Sequence, residues 1–239
     1  MDTKEILTIL EDKFPLNLQE KWDNSGILYR GKENTINVLI TLDITAKVSS
    51  FAISNNIDLI ISHHPLIFQS YFDSFEYIRN IYLDLAENNI NIYSMHTNYD
   101  SSNYGMNINF IKNLNFNYID SKSMERYFNI ESDFYEKIRN EYPFARIYNK
   151  NDNIEKGAVL LGAGGSMIEE IHKNKADVFI SSEFKHHEIL YAKNYNITLV
   201  DISHQSESLF IKDIEQYLKS KTNNLNIQVY LDNYKIESI

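Results

Sequence analysis

Ile57-Asp58-Leu59-Ile60-Ile61-Ser62-His63-His64-Pro65 is the stretch on which the fold turns. Its first five residues are a short β-branched apolar run, the composition of a strand covered on both faces of a parallel sheet. Its last four put two imidazoles and a proline at the carboxyl end of that strand, where open α/β sheets present their ligand sites. Upstream, Asn37 to Leu42 (NVLITL) is a second such run, and the helix-like Thr45 to Asn55 between them completes a strand, helix, strand unit. Further out, Ile6, Leu7, Ile9 and Leu10 share one face of an N-terminal helix over Asp2 to Lys13, with Asp2 or Thr3 as its N-cap. On the other side follow a helix from Phe75 to Asn88, a strand from Ile90 to Ser94 and a helix from Asn107 to Leu114.

The second part of the chain repeats this rhythm. Strands are predicted at Ala158 to Leu161, Asp177 to Ile180, Ile197 to Val200 and Leu225 to Tyr230, with helices at Met167 to Lys173, Glu188 to Asn194 and Ser208 to Lys219. The fold class is therefore α/β, as two similar α/β halves packed together. The first half is placed at 1–115, a polar, Tyr-rich junction segment with one helix (Ser132 to Glu141) at 116–155, and the second half at 156–239. No Pro/Gly/Ser linker separates the halves, and no strict short-period repeat is present.

Composition narrows the chemistry. The chain has 239 residues, 43% of them hydrophobic, which is enough for a packed core and excludes a disordered chain. Its seven Gly and three Pro are few, while Asn and Ile abound, a skew that fits codon bias in an AT-rich genome. A formal charge of -10 argues against a nucleic-acid footprint. No apolar run reaches the roughly 20 residues of a membrane span, and the start, Met1 to Glu5, has no signal-peptide character, so a cytoplasmic protein is expected. With no Cys there is no disulfide framework and no thiolate zinc site, so a transition metal would have to be held by imidazole nitrogen and carboxylate oxygen.

Six of the seven His lie just after four predicted strands. His63 and His64 follow the first; His96, with Asn98 and Asp100, follows Ile90 to Ser94. His186 and His187, with Glu183, follow Asp177 to Ile180, and His204, with Glu207, follows Ile197 to Val200. Neighbouring His in an extended segment point to opposite sides, so His63 and His64 would serve two neighbouring ions rather than chelate one. His204 and Glu207, three apart near a helix start, can face one point. Asn98 and Asp100 taken alone would be turn or cap residues, but two His-bearing loops at the ends of presumed neighbouring strands weigh against that reading. Four strand ends, two from each half, would then line a crevice suited to Zn, Mn, Fe or Ni, including a pair of ions sharing a carboxylate. His172 sits on an exposed helix and reads as a bystander. Gly162-Ala163-Gly164-Gly165 could cradle a phosphate, but Met167 stands where a dinucleotide fingerprint wants Gly, so a tight turn is favoured. In Trp22-Asp23-Asn24-Ser25-Gly26 the only Trp reads as a buried anchor before a turn.

Taken in order, these motifs resemble the GTP cyclohydrolase 1 type 2 homologs, or NIF-three-like proteins, which bind a pair of metal ions. The resemblance spans nearly the whole chain, from Trp22-Asp23-Asn24-Ser25-Gly26 through Leu42-Asp43-Ile44-Thr45, Ser62-His63-His64-Pro65-Leu66-Ile67-Phe68 and His96-Thr97-Asn98-Tyr99-Asp100, with Gly105 and Asn107 behind. It continues through Gly162-Ala163-Gly164-Gly165 and Glu183-Phe184-Lys185-His186-His187 to Asp201-Ile202-Ser203-His204-Gln205-Ser206-Glu207. The resemblance implies that His64 and Asp100 hold one divalent ion, His63 and His204 the other, and that Glu207 bridges the two. His96, Glu183 and His187 would be secondary or substrate-facing groups. Ser203 stands where many members have Gly, Glu207 follows the last His by three residues where many have four, and Tyr99 replaces a usual Leu. The short junction marks the compact form without an inserted domain, and the implied assembly is a ring-shaped homohexamer built from dimers.

Two functions remain open at this level. The first is a metal-dependent hydrolase of GTP cyclohydrolase type, or one acting on another small nucleotide or phosphoester, its ions polarising substrate and acidifying a bound water. The second is a non-catalytic metal-binding, metal-delivery or regulatory interaction protein. A structural metal joining the halves is the weakest reading.

Overall fold

The computed structural model describes residues 1–68 and 70–232; the last residues assigned above to the second half, 233–239, lie outside the described residues. In chain order the elements are α1 (Thr3–Lys13), β1 (Gly26–Tyr29), β2 (Asn37–Thr41), α2 (Ala46–Ser54), β3 (Leu59–Ser62), α3 (Glu76–Glu87), β4 (Asn91–Ser94) and the short α4 (Thr97–Ser101). There follow α5 (Met106–Asn113), β5 (Asn117–Ser121), β6 (Arg126–Asn129), α6 (Phe134–Glu141), β7 (Arg146–Tyr148), β8 (Lys156–Val159), α7 (Ile168–Lys173) and β9 (Val178–Ser181). The described residues close with α8 (His186–Asn194), β10 (Thr198–Asp201), α9 (Leu209–Lys221) and β11 (Asn226–Val229). Asp2 caps α1 as expected, its carboxylate accepting the Lys4 N–H at 2.8 Å. Among the described residues no helix is long and apolar enough to cross a membrane.

The fold is α/β with two sheets, one in each of two compact units. The first unit comprises Met1–Ser102 and Ser208–Ile239, and its sheet has the order β1-β4-β3-β2-β11. β11, β2, β3 and β4 run parallel, and β1 closes the edge antiparallel to β4. Both faces are covered, which is why IDLII carries no polar alternation. Leu39, Ile60 and Ile92, in register, pack with Val48, Ala52, Ile81 and Leu85 of α2 and α3. On the opposite side Tyr93 reaches Glu11 of α1, and Phe14, Tyr99, Phe210 and Tyr217 form an aromatic cluster with ring centroids 5.2 to 5.8 Å apart.

The second unit is Asn103–Glu207, with sheet order β5-β6-β8-β9-β10-β7. Here β8, β9 and β10 are parallel and the outer strands antiparallel. Tyr127, Ala158, Phe179 and Leu199 pack with Ile168, Ile171 and Ala192 of α7 and α8. Elsewhere in the unit Phe116 stacks on Phe128 at 4.6 Å, and Phe128 lies so close over Gly157 that a Cβ there would come 2.3 Å from the ring.

The similarity of the halves is visible as β2-α2-β3-α3-β4 against β8-α7-β9-α8-β10, each flanked by an antiparallel strand, β1 or β7, on its last member. The boundaries of the units differ from the linear halves. They fall at Ser102/Asn103 and Glu207/Ser208, and the segment 116–155, read from sequence as the least regular stretch, supplies β5, β6, α6 and β7 to the second unit.

Candidate metal centre

In the first unit, β3 ends at Ser62, and the His63 and His64 N–H groups extend its ladder to the Thr41 and Leu42 carbonyls. The Ser62 hydroxyl then donates to the His64 carbonyl at 2.8 Å, bending the chain. That bend corrects the expectation that the two imidazoles diverge. Their ring centroids are 4.8 Å apart, because the strand geometry that would separate them has already stopped. His96 follows β4 and brings a third ring to 5.2 Å from His63 and 5.6 Å from His64.

Each of these imidazoles is anchored through Nδ1. His63 is 1% exposed and bonds the Met95 carbonyl at 2.8 Å. Since a carbonyl only accepts, this Nδ1 carries a proton. His64 Nδ1 meets Asp43 at 2.7 Å, and His96 Nδ1 meets Asp23 at 2.8 Å. Imidazoles that ligate metals are held in this way, by a carboxylate or carbonyl on the far nitrogen. One ring nitrogen from each of the three lies within 4.8 Å of the others. Asp100, on α4 and buried, brings Oδ1 to 3.9 Å from His63 Nε2, longer than a hydrogen bond.

Asp23 is the most elaborately held of the anchors. Its side chain is fully buried and accepts from His96, from the Thr97 N–H and hydroxyl, and from the Ser25 hydroxyl. Burial works to raise this carboxyl, but those hydrogen bonds and the His96 charge outweigh it and hold it well below the usual carboxylate range. Trp22, read from sequence as a buried anchor, is 59% exposed. What is buried in that loop is the aspartate beside it.

In the second unit, β10 ends at Asp201, and Ser203 turns the chain with φ +70° into a short 3-10 turn beginning at His204. His204 Nε2 lies 2.9 Å from Glu207 Oε2, so the three-residue spacing does bring the pair together. The Glu207 side chain is 3% exposed. Glu183 Oε2 stands 3.7 Å from His204 Nδ1. Gly162, at φ +99°, makes room for the pair, since a Cβ there would lie 2.9 Å from Glu207 Oε1. The Gly162-Ala163-Gly164-Gly165 turn holds the Glu188 carboxylate against Gly165, where a Cβ would come 2.0 Å from it. A phosphate would meet that negative charge, so the tight-turn reading stands. His186 and His187 are exposed on the first turn of α8, where His187 faces Glu188 and Tyr191, and His172 lies exposed on α7 against Tyr195.

Sequence reasoning did not single out Asp23 and Asp43 as imidazole anchors. The available signal was positional for Asp43, which follows β2 at the end of the sheet where the His-bearing loops lie. Asp23 carried no comparable signal, being 73 residues from its imidazole.

The donor set is nitrogen and oxygen throughout, consistent with a divalent transition metal in a protein without Cys. Comparison with known proteins fits this geometry. The chain is 34% identical over 248 residues, covering 97% of it and 96% of the relative, to a Campylobacter jejuni protein named GTP cyclohydrolase 1 type 2 homolog. It is 31% identical, with 97% and 96% covered, to the GTP cyclohydrolase 1 type 2 of Helicobacter pylori. Among solved structures it is similar to reduced HcgD from Methanocaldococcus jannaschii, with a TM-score of 0.84, 27% identity and 98% of each chain covered. The model of the Duf34/NIF3 (NGG1p interacting factor 3) family matches residues 1–236, and the chain belongs to that family.

Proposed function

We propose that this protein is a dinuclear metal-dependent hydrolase of GTP cyclohydrolase type, acting on GTP or on another small nucleotide or phosphoester. The observation that carries the reading is the set of three imidazoles in the first unit, each with Nδ1 committed to a protein acceptor and a ring nitrogen turned to a common point. In this proposal His64 and Asp100 hold one ion, His63 and His204 the other, and Glu207 bridges them.

The ions, when bound, would polarise the substrate and bring a bound water toward neutral pKa. The chain's own contribution is to fix ligands before substrate arrives. Asp43 and Asp23 orient His64 and His96, the Met95 carbonyl sets the tautomer of His63, and Gly162 leaves space for Glu207. Glu183, half-exposed beside His204, is the group we assign to proton transfer. The assembly we carry with this reading is a homohexamer.

The test is metal analysis of protein purified without added metal, with a hydrolysis screen over GTP, other nucleotides and phosphoesters for wild type and Asp100→Asn. Two ions per chain and a loss of turnover of about 10²-fold or more in the variant are expected. Fewer than one ion per chain under metal-replete conditions overturns the dinuclear centre. Equal activity in both proteins overturns the hydrolase and leaves a metal-binding or delivery module.

A further inference from the structure

Trp22 and Phe68 do not behave as core residues. Trp22, the only tryptophan, is 59% exposed and Phe68 is 42% exposed, although large aromatic side chains are ordinarily drawn inside. Both stand against His96. The Trp22 ring centroid is 5.9 Å from the imidazole with the planes at 76°, and that of Phe68 is 5.5 Å away at 84°. In an edge-to-face pair one ring gives its edge and the other a single face, so Trp22 and Phe68 each keep at least one ring face clear of the imidazole.

The loops that carry the two rings are built to keep them there. Asn24 Nδ2 donates to the Ile67 carbonyl at 2.6 Å, tying the Trp22 loop to the Phe68 loop. Next to Trp22, the buried Asp23 carboxylate anchors His96 and the Thr97 N–H, so the tryptophan is fixed to the same loop as the imidazole it touches. His96 in turn belongs to the cluster with His63 and His64. Two exposed aromatic rings are thus held beside the imidazoles of the candidate metal centre.

We infer that Trp22 and Phe68 form a stacking subsite for a flat heteroaromatic ring of nucleobase size, and that this subsite positions the ring of the substrate over His96. Stacking fits these rings because any base presents a π-face, and binding of this kind tolerates base identity. An aliphatic ligand would leave the two faces without a matched partner. The inference rests on the metal-centre reading for its orientation, since the ring is placed where its substituents meet the imidazole cluster, but the subsite itself consists of residues that are not metal ligands.

The single tryptophan makes the test direct, because intrinsic fluorescence above 295 nm excitation reports Trp22 alone. Wild-type protein, its metal content measured separately, is titrated with GMP, AMP and UMP and with ribose 5-phosphate, which has the same phosphate and sugar but no ring. Saturable quenching by at least one nucleotide, with none by ribose 5-phosphate, is expected. By calorimetry, Trp22→Ala and Phe68→Ala should each weaken that nucleotide by about tenfold, while Trp22→Phe retains most of the affinity. Metal content should be unchanged in all three variants. Equal binding of the nucleotides and ribose 5-phosphate, no binding of any nucleotide, or full affinity in Phe68→Ala would overturn the subsite. A drop in sedimentation coefficient in Trp22→Ala with nucleotide affinity intact would assign the rings to a contact between copies of the chain, and would also overturn it. Loss of the metal-centre reading looks different: wild type would hold fewer than one ion per chain whatever the fluorescence shows.

Discussion

Asp58, at the start of β3, shows how much a single side chain can hold. It accepts from Lys32 Nζ at 2.6 Å and from the Ile36 and Asn37 N–H groups at 3.0 and 2.9 Å, closing the turn into β2. Burial works to raise its carboxyl, but the Asn37, Lys32 and Ile36 hydrogen bonds and the Lys32 charge prevail and lower it from 3.8. A carboxyl depressed in the folded state adds stability above its unfolded pKa and loses it as pH falls through the folded value. Asp58→Asn should therefore cost about 1–3 kcal/mol at pH 7, and the gap to wild type should narrow below about pH 4, as urea unfolding at pH 7 and pH 3 will show. Ser203 makes the opposite kind of prediction. Its φ of +70° lies where glycine carries no steric penalty, and an L-residue in that region costs about 1–2 kcal/mol. Ser203→Gly should raise stability by about 0.5–1 kcal/mol in thermal or chemical unfolding, the gain trimmed by the freer unfolded chain. At this scale the proposed ligands are marked in the sequence and the groups that anchor the imidazoles are not. His63, His64, Asp100, His204 and Glu207 sit in short motifs at strand ends, whereas Asp23 and Asp43 act on imidazoles 73 and 21 residues away.

Five helices end by one device, and it accounts for an oddity of composition. After α2, α3, α5, α7 and α8 the chain passes through a positive φ at Asn56, Asn89, Asn115, Lys175 and Asn196. In each case the next N–H reaches back five residues, as Ile57 to Ala52, Ile90 to Leu85, Phe116 to Ile111, Ala176 to Ile171 and Ile197 to Ala192. This is the Schellman closure, with the apolar residue after the turn buried ahead of the next strand. Glycine is the usual occupant, and a chain with seven Gly uses asparagine, the side chain best suited to that region after it. Lysine has no such aptitude. Lys175→Gly should stabilise by about 1 kcal/mol, more than Asn→Gly at any of the other four sites, measured as the shift in denaturant midpoint. Elements were the most legible level of this sequence, because apolar periodicity and Asn-rich stops mark them locally. The exceptions were β1 and α4, only four and five residues long, and β5, β6 and β7, whose exposed or mixed side chains lack the apolar run that identifies an interior strand.

Across the whole molecule the two similar halves exchange their final segments. The helix and strand that follow β4, α5 and β5, belong to the second unit, where Phe110 stacks near Tyr142 and Asn107 accepts from the Leu161 N–H. The helix and strand that follow β10, α9 and β11, belong to the first, where Phe210 packs on His63 and Tyr99, Tyr217 bonds the Ile9 carbonyl, and β11 pairs with β2. An amphipathic helix announces that it will be buried but not against which sheet, so this exchange could not be read from periodicity. It predicts that a chain truncated after Glu207 loses the cooperative unfolding of the first unit, while 103–207 expressed alone keeps a folded sheet, as near-ultraviolet circular dichroism and hydrogen exchange can check. The same arrangement sets an order of events on the ribosome. The second unit has its whole sequence in hand when Glu207 emerges, although it began later; the first must wait with the edge of β2 unpaired until β11 arrives. An open parallel edge is an invitation to pair with other chains, so β11, made after the whole of the second unit, is the strand on which the β2 edge of a nascent chain depends for protection.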